Sequence, residues 1–314
     1  MERYIAIDNV CAWPNLTMLP DGAIAAAIYN QPSHGEDEGD VDCWASKDEG
    51  RTWKLRGVAA PHEPGTNRMN VAAGLAHDGS LIVLSSGWGG EGLRGHLEPT
   101  WVCSSEDGGF TWSHSDEFEL PEYLDWLCPF GDIVQMEGQS LAASAYCGQG
   151  AVVMFSHDDG KSWGDAAVIQ NNELSETTLL RLRPDRWLAA SRCESDGRLE
   201  LHTSPDEGKT WTREIDLTLP SQHPAHLLLL KDGRILLVYG QRNRGAWGLG
   251  ARFSEDEGRT WSPPRQLVSI RIQADLGYPS CVQTPDGTIV TAYYASKIPE
   301  HERYHMGVVR WEPE

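Results

Sequence analysis

The stretch SEDEGRTW, residues 254–261, decides the fold because the chain carries five closely related copies of it. All copies obey the pattern Ser-x-Asp-x-Gly-x-Thr/Ser-Trp, and we call them the octapeptides. The other four are SKDEGRTW (46–53), SEDGGFTW (105–112), SHDDGKSW (156–163) and SPDEGKTW (204–211). Their first residues lie 48 to 59 positions apart. A motif that returns at such a period indicates a repeat architecture.

Each octapeptide has the composition of a tight turn between two strands. An apolar run precedes it, for example LGARF (249–253) before Ser254. The Asp can accept hydrogen bonds from backbone N–H groups in a turn, and the Gly supplies a positive φ. We therefore predict a hairpin in which one strand ends at the Ser, Thr-Trp begins the next strand, and the Trp covers the hairpin.

A second repeat lies between the octapeptides and consists of two apolar runs that flank a turn of the Asp-Gly type. Its six copies begin at Trp13, Met69, Cys128, Glu176, His223 and Tyr278. This pattern predicts a hairpin in each copy. One such hairpin and one octapeptide hairpin make four strands, which is one propeller blade.

The two repeats together predict an all-β fold, a six-bladed β-propeller with four-stranded antiparallel blades, as a single domain over residues 1–314. The last blade has no octapeptide, and we expect the first strand, RYIAI (3–7), to complete it. A β-sandwich is the alternative, but it explains neither the six-fold period nor the chain length.

Composition restricts the classes of partner and compartment. The chain of 314 residues has 46 acidic and 26 basic residues and a net charge of −20, which disfavours nucleic-acid binding. We see neither a signal-peptide pattern nor a run long enough to span a membrane. Seven scattered cysteines without C-x-x-C spacing favour reduced, mostly buried thiols, a cytoplasmic setting and no zinc site. We expect no cofactor, and nothing in the sequence specifies an oligomeric state.

The octapeptides resemble the Asp-boxes of the sialidase superfamily, whose members are six-bladed propellers. The resemblance covers essentially the whole chain, and it is more specific for fold than for activity, because Asp-boxes also occur in lyases, other glycosidases and binding proteins. It implies a site at the heads of the six hairpins. The superfamily's site holds three arginines that bind the substrate carboxylate, a tyrosine nucleophile, a glutamate that activates the tyrosine, and an acid/base aspartate.

Two residues match the nucleophile and its base. Tyr278 heads the last hairpin, as the superfamily's tyrosine does, and Glu176 heads the fourth, with Glu173 as a nearby competitor. A tyrosine nucleophile suits an anionic sugar, because a neutral phenol approaches it with less repulsion than a carboxylate would. Glu176 would take the phenolic proton.

The resemblance also places the arginines. Arg192 follows the second strand of the fourth hairpin, and Arg242 or Arg244 follows that of the fifth, with Arg244 preferred. An arginine fork suits a carboxylate because it binds both oxygens. The third position holds Trp13 in place of arginine, and Tyr294 replaces the glutamate that steadies that arginine, so we expect a remodelled pocket. Arg68 is a candidate substitute.

The acid/base aspartate should lie in the loop SHGEDEGDVDCW (33–44), where Asp40 and Asp37 are our candidates among several carboxylates. Such an acid needs a raised pKa. We also assign polar or aromatic residues at the hairpin heads to the sugar site: Trp13, Asn15, Asn70, Asp132 and His223. Trp88, Trp126 and Trp247 are further stacking candidates. His223 and His226 are too close on one strand to share a face, which argues against a metal pair.

The leading hypothesis is an exo-acting, retaining glycoside hydrolase that cleaves a terminal acidic sugar. The sugar would be sialic acid-like, another ulosonic acid or a uronic acid. A non-catalytic carbohydrate-binding propeller is one alternative. Another glycosidase, or a polysaccharide lyase with His223 or His226 as base and a tyrosine as acid, is the other.

Overall fold

The computed structural model describes residues 1–171, 175–270 and 273–313. These residues form 24 β-strands and one short 3-10 helix, Glu91–Leu93, and they contain no α-helix. The first twelve strands are β1 (Glu2–Asp8), β2 (Asn15–Met18), β3 (Ile24–Tyr29), β4 (Val41–Ser46), β5 (Lys54–Ala60), β6 (Asn70–Leu75), β7 (Leu81–Gly89), β8 (His96–Ser105), β9 (Ser113–Ser115), β10 (Cys128–Gln135), β11 (Leu141–Cys147) and β12 (Gly150–Ser156). The others are β13 (Ala166–Gln170), β14 (Thr177–Arg183), β15 (Arg186–Arg192), β16 (Leu199–Ser204), β17 (Thr212–Asp216), β18 (Gln222–Leu229), β19 (Ile235–Gln241), β20 (Gly248–Ser254), β21 (Arg265–Ser269), β22 (Leu276–Gln283), β23 (Ile289–Ala295) and β24 (His305–Trp311).

The described strands make five sheets, so the fold is all-β as predicted, but the number of sheets differs from the six expected. Four sheets have four strands each: β2–β5 in order, β14–β17 in order, β18–β21 in order, and β22, β23, β24 and β1. The fifth has eight strands in the order β13-β12-β11-β10-β6-β7-β8-β9.

The eight-stranded sheet consists of two four-stranded halves joined by a short parallel pairing. An irregularity in β10 between Phe130 and Ile133 releases the intervening residues from β11. Gly131 and Asp132 pair instead with β6, opposite Ala72 and Ala73. The local break in one ladder therefore merges two units that the sequence pattern treats as separate.

The six predicted hairpins are confirmed, as is the pairing of the two chain ends. In each hairpin the two strands are antiparallel neighbours: β2 with β3, β6 with β7, β10 with β11, β14 with β15, β18 with β19, and β22 with β23. β1 pairs antiparallel with β24, so that Glu2 faces Arg310 and Asp8 faces His305. The first strands of the six hairpins also contact one another in sequence, and β22 contacts β2.

The octapeptides form the predicted turns, with one difference at their ends. Each preceding strand ends at the Ser, as expected. In the copy at 254–261, Asp256 Oδ1 accepts the Thr260 N–H (2.8 Å) and the Ser254 hydroxyl (2.9 Å). The Trp261 indole N–H donates to Gly258 O (3.1 Å). Because the Asp keeps the Thr inside the turn, the next strand begins beyond the Trp rather than at the Thr.

The hydrophobic core lies between neighbouring sheets. One cluster combines Leu236 and Val238 of β19 with Tyr293 of β23 and Trp311 of β24, all of them buried. Every residue of β19, β23 and β24 is buried, so these strands are covered on both faces of their sheets. All seven cysteines are free and buried, as predicted. In the part of the chain that the structure describes, no helix has the length and apolar character needed to cross a membrane.

Candidate active site

Tyr278 and Glu176 meet, although they head different hairpins. Tyr278 lies in β22, and Glu176 directly precedes β14. The Tyr278 hydroxyl donates a hydrogen bond to Glu176 Oε1, and both residues are buried. The competitor Glu173 lies outside the described residues.

The backbone of Tyr278 adopts a conformation that L-residues avoid. Its φ is +51°, beside an irregularity in the pairing of β22 with β23 between Gly277 and Ser280. A residue held there costs on the order of 1–3 kcal/mol and persists only where the surroundings fix it. Such strain is typical of functional sites.

The surroundings of the pair keep the phenol protonated. Burial raises the pKa of Tyr278 well above its ordinary value, and the negative charge of Glu176 adds to this, while Arg242 and Arg192 act in the opposite direction. Arg192 Nη1 donates to Glu176 Oε2 at 2.9 Å. One oxygen of Glu176 therefore accepts from the phenol and the other from an arginine. A neutral phenol in this position can attack only as its proton passes to a base.

Arg242 is the arginine that the structure brings to Tyr278, and the preference for Arg244 is corrected. The Arg242 guanidinium lies 5.9 Å from the centre of the Tyr278 ring. Its Nη1 donates to His223 O (2.6 Å) and its Nη2 to Leu276 O (2.9 Å). β19 ends one residue before Arg242, so its side chain still follows the strand. Arg244 lies two residues further along a turn, is exposed, and makes no hydrogen bond or ion pair with the described site residues.

Aromatic side chains cover Tyr278. Trp13 stacks on Tyr278 with ring centroids 3.8 Å apart and planes 18° apart. Tyr294 approaches both rings at 5.6 Å. The two positions where the sialidase resemblance implies an arginine and its glutamate therefore form a connected aromatic layer.

Asp275 and His34 form a second polar group beside this layer, and neither was predicted. Asp275 Oδ2 lies 3.1 Å from His34 Nδ1, and its carboxylate also accepts the hydroxyls of Tyr294 (2.7 Å) and Tyr304 (2.6 Å). Burial acts to raise the pKa of Asp275, but the hydrogen bonds from His34, Tyr304 and Tyr294 outweigh it and hold that pKa well below its usual range. Asp275 is therefore a fixed negative charge.

A cavity of about 190 Å³ opens over the pair. Eleven of the described residues line it, including five that the sequence pointed to: Trp13, Asn70, Glu176, Arg192 and Tyr278. Sequence reasoning missed four polar lining residues: His34, Arg94, Tyr146 and Glu194. Arg94 follows the 3-10 helix, and its guanidinium donates to His34 O (2.6 Å). It also lies 5.1 Å from the ring centre of Trp88, which lines the cavity and was predicted only as a stacking residue.

The two aspartates proposed as acids lie elsewhere. Asp40 Oδ1 accepts from the His62 backbone N–H (2.8 Å) and lies 2.6 Å from His62 Nδ1. Asp37 is exposed, and its carbonyl oxygen accepts the Tyr29 hydroxyl. Neither belongs to the described lining of the cavity. The loop that carries them presents His34 to the cavity instead.

Arg68 does not substitute for the missing arginine. It is fully buried, its Nη1 donates to Pro99 O (2.6 Å), and its guanidinium covers the Trp101 ring at 3.9 Å. These contacts direct the side chain between β7 and β8 rather than towards Tyr278. Arg68 therefore packs the second hairpin.

Asn15, Asp132 and His226 form a hydrogen-bonded network next to the site, in which Asn15 and His226 are buried and Asp132 is partly exposed. Asn15 Nδ2 donates to Gly131 O (2.7 Å) and to Asp132 Oδ1 (3.2 Å), and His226 Nε2 lies 2.9 Å from Asp132 Oδ2. Burial acts to lower the pKa of His226, but the charge of Asp132 outweighs it and raises this pKa to about 10. The network joins three hairpin heads.

His223 is neutral, and its Nδ1 lies 3.0 Å from Arg242 Nη1. Burial, and then the charges of Arg242 and Arg192, lower the pKa of His223 to about 2. Neither His223 nor His226 is among the described residues that line the cavity. Within the described ranges, no group of three or more His, Cys, Asp or Glu residues is placed to hold a metal ion.

Comparison with known proteins identifies the family. A family model described as a BNR repeat-like domain matches residues 22–291, which is most of the chain. The chain belongs to this family, within the sialidase superfamily. This BNR-repeat chain is 25% identical to a sialidase of Bacteroides fragilis, over 94% of the chain and 62% of that protein. It is 24% identical to a sialidase of Micromonospora viridifaciens, over 93% of the chain and 52% of that protein.

Solved structures share the fold of the BNR-repeat chain. A protein of unknown function from Dyadobacter fermentans superimposes with a TM-score of 0.81 at 20% identity, over 100% of this chain and 98% of that one. A Hadza microbial sialidase gives a TM-score of 0.75 at 17% identity, over 97% and 66%. A sialidase mutant from Streptococcus pneumoniae gives 0.76 at 14% identity, over 98% and 70%. At these identities the likeness is one of fold.

Proposed function

We propose that this BNR-repeat chain is a retaining glycoside hydrolase with Tyr278 as nucleophile and Glu176 as the base that activates it. The observation that carries the proposal is the buried hydrogen bond from the Tyr278 hydroxyl to Glu176. A binding protein has no need for a strained tyrosine paired with a carboxylate. The sialidase relatives add support for the class of enzyme.

The first half of the reaction forms a covalent sugar–enzyme bond. Tyr278 Oη attacks the anomeric carbon, its proton passes to Glu176, and the bond to the leaving oxygen breaks as an acid protonates that oxygen. Arg192, 2.9 Å from Glu176 Oε2, holds this carboxylate in position until the transfer. In the second half water attacks the same carbon, the phenol leaves and recovers its proton from Glu176, and two inversions give retention.

The cavity supports a terminal acidic sugar as substrate. Its volume of about 190 Å³ lies below that of sites for drug-sized ligands, which favours a single terminal residue and exo action. Arg192 and Arg94 are the arginines that line it, and both can bind a carboxylate. Trp13 and Trp88 offer faces for stacking on the sugar. We propose sialic acid-like, other ulosonic or uronic glycosides.

The proposed architecture is a closed six-bladed propeller. The support is the circuit of contacts among the first strands of the six hairpins, which runs from β2 to β22 and back to β2, together with the pairing of β1 with β24. The parallel pairing of β6 with β10 joins two blades without removing either. An experimental structure tests this closure, and a gap between β22 and β2 would overturn it.

A panel of fluorogenic glycosides tests the activity. The panel contains sialic acid, another ulosonic acid, glucuronic and galacturonic acids, and neutral glucose and galactose. We expect turnover of at least one acidic glycoside and a loss of roughly 1,000-fold or more in Tyr278→Phe. The matched control is Tyr293→Phe, a buried tyrosine whose hydroxyl bonds Arg3 outside the cavity.

The anomer released first, followed by NMR, should have the configuration of the substrate. Undiminished activity in Tyr278→Phe would remove the nucleophile. Binding without turnover across the panel would favour a carbohydrate-binding protein. An unsaturated product that absorbs in the ultraviolet would favour a lyase.

A further inference from the structure

The proposed reaction needs a group that protonates the leaving oxygen and later activates water, and the expected aspartates do not reach the cavity. Asp40 is engaged by His62, and Asp37 is exposed on the loop surface. A retaining mechanism without such a group would be slow on any substrate with a poor leaving group. The same loop does supply one titratable side chain to the cavity, and that is His34.

The ring of His34 is held at one nitrogen and open at the other. Nδ1 lies 3.1 Å from Asp275 Oδ2, while Nε2 has no hydrogen-bond partner among residues 1–171, 175–270 and 273–313. The side chain keeps 39% of its surface exposed. Its ring meets the edge of Trp13 at 4.8 Å, and Trp13 in turn stacks on Tyr278 at 3.8 Å. His34 therefore lies on the rim of the cavity that holds the nucleophile.

We propose that His34, oriented by Asp275, is the general acid and base of this enzyme. The inference rests on the proposed function. In the first step the His34 imidazolium gives its Nε2 proton to the glycosidic oxygen while Tyr278 attacks and Glu176 takes the phenolic proton. In the second step neutral His34 accepts a proton from the attacking water, and Glu176 returns its proton to the departing Tyr278. Glycoside and water are consumed, sugar and alcohol are released, and all three groups regain their starting states.

Asp275 is the residue that positions the His34 ring, through the contact with its Nδ1. Its carboxylate is fixed by the hydroxyls of Tyr294 and Tyr304, so it can hold one tautomer of His34 and stabilise the imidazolium. The hydrogen bonds that keep the pKa of Asp275 low keep this carboxylate charged. An aspartate plays the same part towards the histidine of serine-hydrolase triads, without taking up the proton itself.

The replacement of arginine by Trp13 is consistent with this arrangement. The ring of Trp13 lies 4.8 Å from that of His34, so a guanidinium in its place would disfavour an imidazolium there. Tyr294 likewise adds a hydroxyl to Asp275 where a glutamate would add a second negative charge. The charged groups that face His34 from neighbouring elements are then Asp275 and Arg94, with the phenols of Tyr294 and Tyr304 bonded to Asp275.

The test compares leaving groups. His34→Gln and His34→Ala are assayed on an activated aryl glycoside and on an alkyl glycoside of the sugar that the wild type cleaves. We expect the alkyl glycoside to lose roughly 100-fold or more in kcat/KM and the activated aryl glycoside to lose much less in the first step. Azide should rescue the aryl reaction and yield a glycosyl azide of retained configuration. The basic limb of the pH profile of kcat/KM should disappear.

Matched variants separate the possibilities. His62→Gln is the control, because His62 also pairs with an aspartate, Asp40 at 2.6 Å, but away from the cavity. Asp275→Asn should shift the basic limb to lower pH, which a merely structural role would not do. Suppose that the wild type cleaves the alkyl glycoside. If Asp37→Asn or Asp40→Asn then loses activity and His34→Gln does not, the role of His34 is wrong, while the proposed hydrolase function stands. A wild type that cleaves no glycoside overturns both.

Discussion

Trp13 lies flat against the ring of Tyr278, with centroids 3.8 Å apart and planes 18° apart. The stack covers a face of the Tyr278 ring and leaves its hydroxyl directed at Glu176. An aromatic pair contributes about 0.5–1.5 kcal/mol beyond the burial of its area. Tyr278 is therefore held by an aromatic side chain at a position where the sialidase resemblance implies an arginine.

Replacement of Trp13 should reveal this positioning role. We expect Trp13→Ala to lower kcat/KM by roughly 10–100-fold, because a nucleophile that is free to shift by about an ångström loses its alignment. The free energy of unfolding should fall by about 3–5 kcal/mol through the cavity left behind. Trp13→Phe should retain most of the activity. Trp211→Ala, in an octapeptide far from the cavity, is the control and should lower stability alone. Equal kcat/KM in Trp13→Ala and wild type would contradict the role.

Replacement of Arg242 should lower stability and activity, whereas replacement of Arg244 should change neither. Arg242→Ala leaves the carbonyls of His223 and Leu276 without their donor, which costs about 1–3 kcal/mol for each buried group left unpaired. It also removes a positive charge 5.9 Å from the Tyr278 ring. We expect a lower melting temperature and at least a tenfold loss of kcat/KM, measured on the substrate found in the glycoside panel. Arg244→Ala should stay within about twofold of wild type, since exposed surface changes seldom propagate. The reverse ranking would restore the original preference for Arg244.

The strands and hairpins could be predicted from the sequence because each repeat corresponds to a local structure. The octapeptides fix where strands end, and the apolar runs fix where strands lie. The merger of two units through Gly131 and Asp132 was not predictable, since it depends on a two-residue irregularity whose partner strand lies about 60 residues earlier. The hydrophobic pattern of a sequence identifies strands. It does not show with which neighbouring strand a residue pairs once it has left its own hairpin ladder.

Three of the four polar lining residues that the sequence did not indicate, His34, Arg94 and Glu194, lie outside the strands, and only Tyr146 lies within one. Tyr278, Glu176 and Arg192 were predicted because the sialidase resemblance assigns roles to hairpin heads and strand ends, and the sequence pattern locates those positions; all three line the same cavity. Arg242 was ranked below Arg244 because the sequence does not show how the chain after β19, which ends at Gln241, directs either side chain. His34 was not predicted because its loop is rich in acidic residues, which drew attention as candidate acids. Only its tertiary contacts with Trp13 and Asp275 show that it lies at the site.

Asp42 should make the protein less stable at neutral pH than in mild acid. Burial raises the pKa of Asp42 to about 6, a hydrogen bond from Asn30 acts against this, and the charge of Asp40 adds to it. The folded state thus binds the proton more tightly than the unfolded chain. The resulting stabilisation is complete below pH ~4 and is lost as the pH rises towards 6.

Asp42→Asn should therefore raise the free energy of unfolding by about 2 kcal/mol at pH 7.5 and give no gain at pH 4. The amide oxygen keeps an acceptor for Asn30, so the gain is electrostatic. Thermal melts at the two pH values measure it, with the exposed Asp125→Asn as control. A gain of the same size at both pH values would show that packing, not titration, is responsible.

Asp158 should stabilise the turn of its octapeptide without serving the cavity. Its carboxylate accepts the Ser156 hydroxyl (2.9 Å), the Ser162 N–H (2.9 Å) and the Ser162 hydroxyl (2.7 Å). Burial acts to raise the pKa of Asp158, but these bonds outweigh it and lower the pKa. The contribution is therefore present above the unfolded pKa and lost as the pH falls. The turn in turn holds Trp163, which is buried in the core.

Asp158→Ala should lower the melting temperature by several degrees at pH 7, since a change of about 1 kcal/mol shifts a domain of comparable size by about 2–4 °C. The difference from wild type should shrink as the pH is lowered below the ordinary carboxyl range, because the wild-type carboxylate then loses its advantage. Lys161→Ala, at a variable position of the same octapeptide, is the matched control. Activity per folded molecule, assayed well below the melting transition, should be unchanged in both variants. A selective loss of kcat in Asp158→Ala would instead connect the octapeptide to the site and contradict its separation from the chemistry.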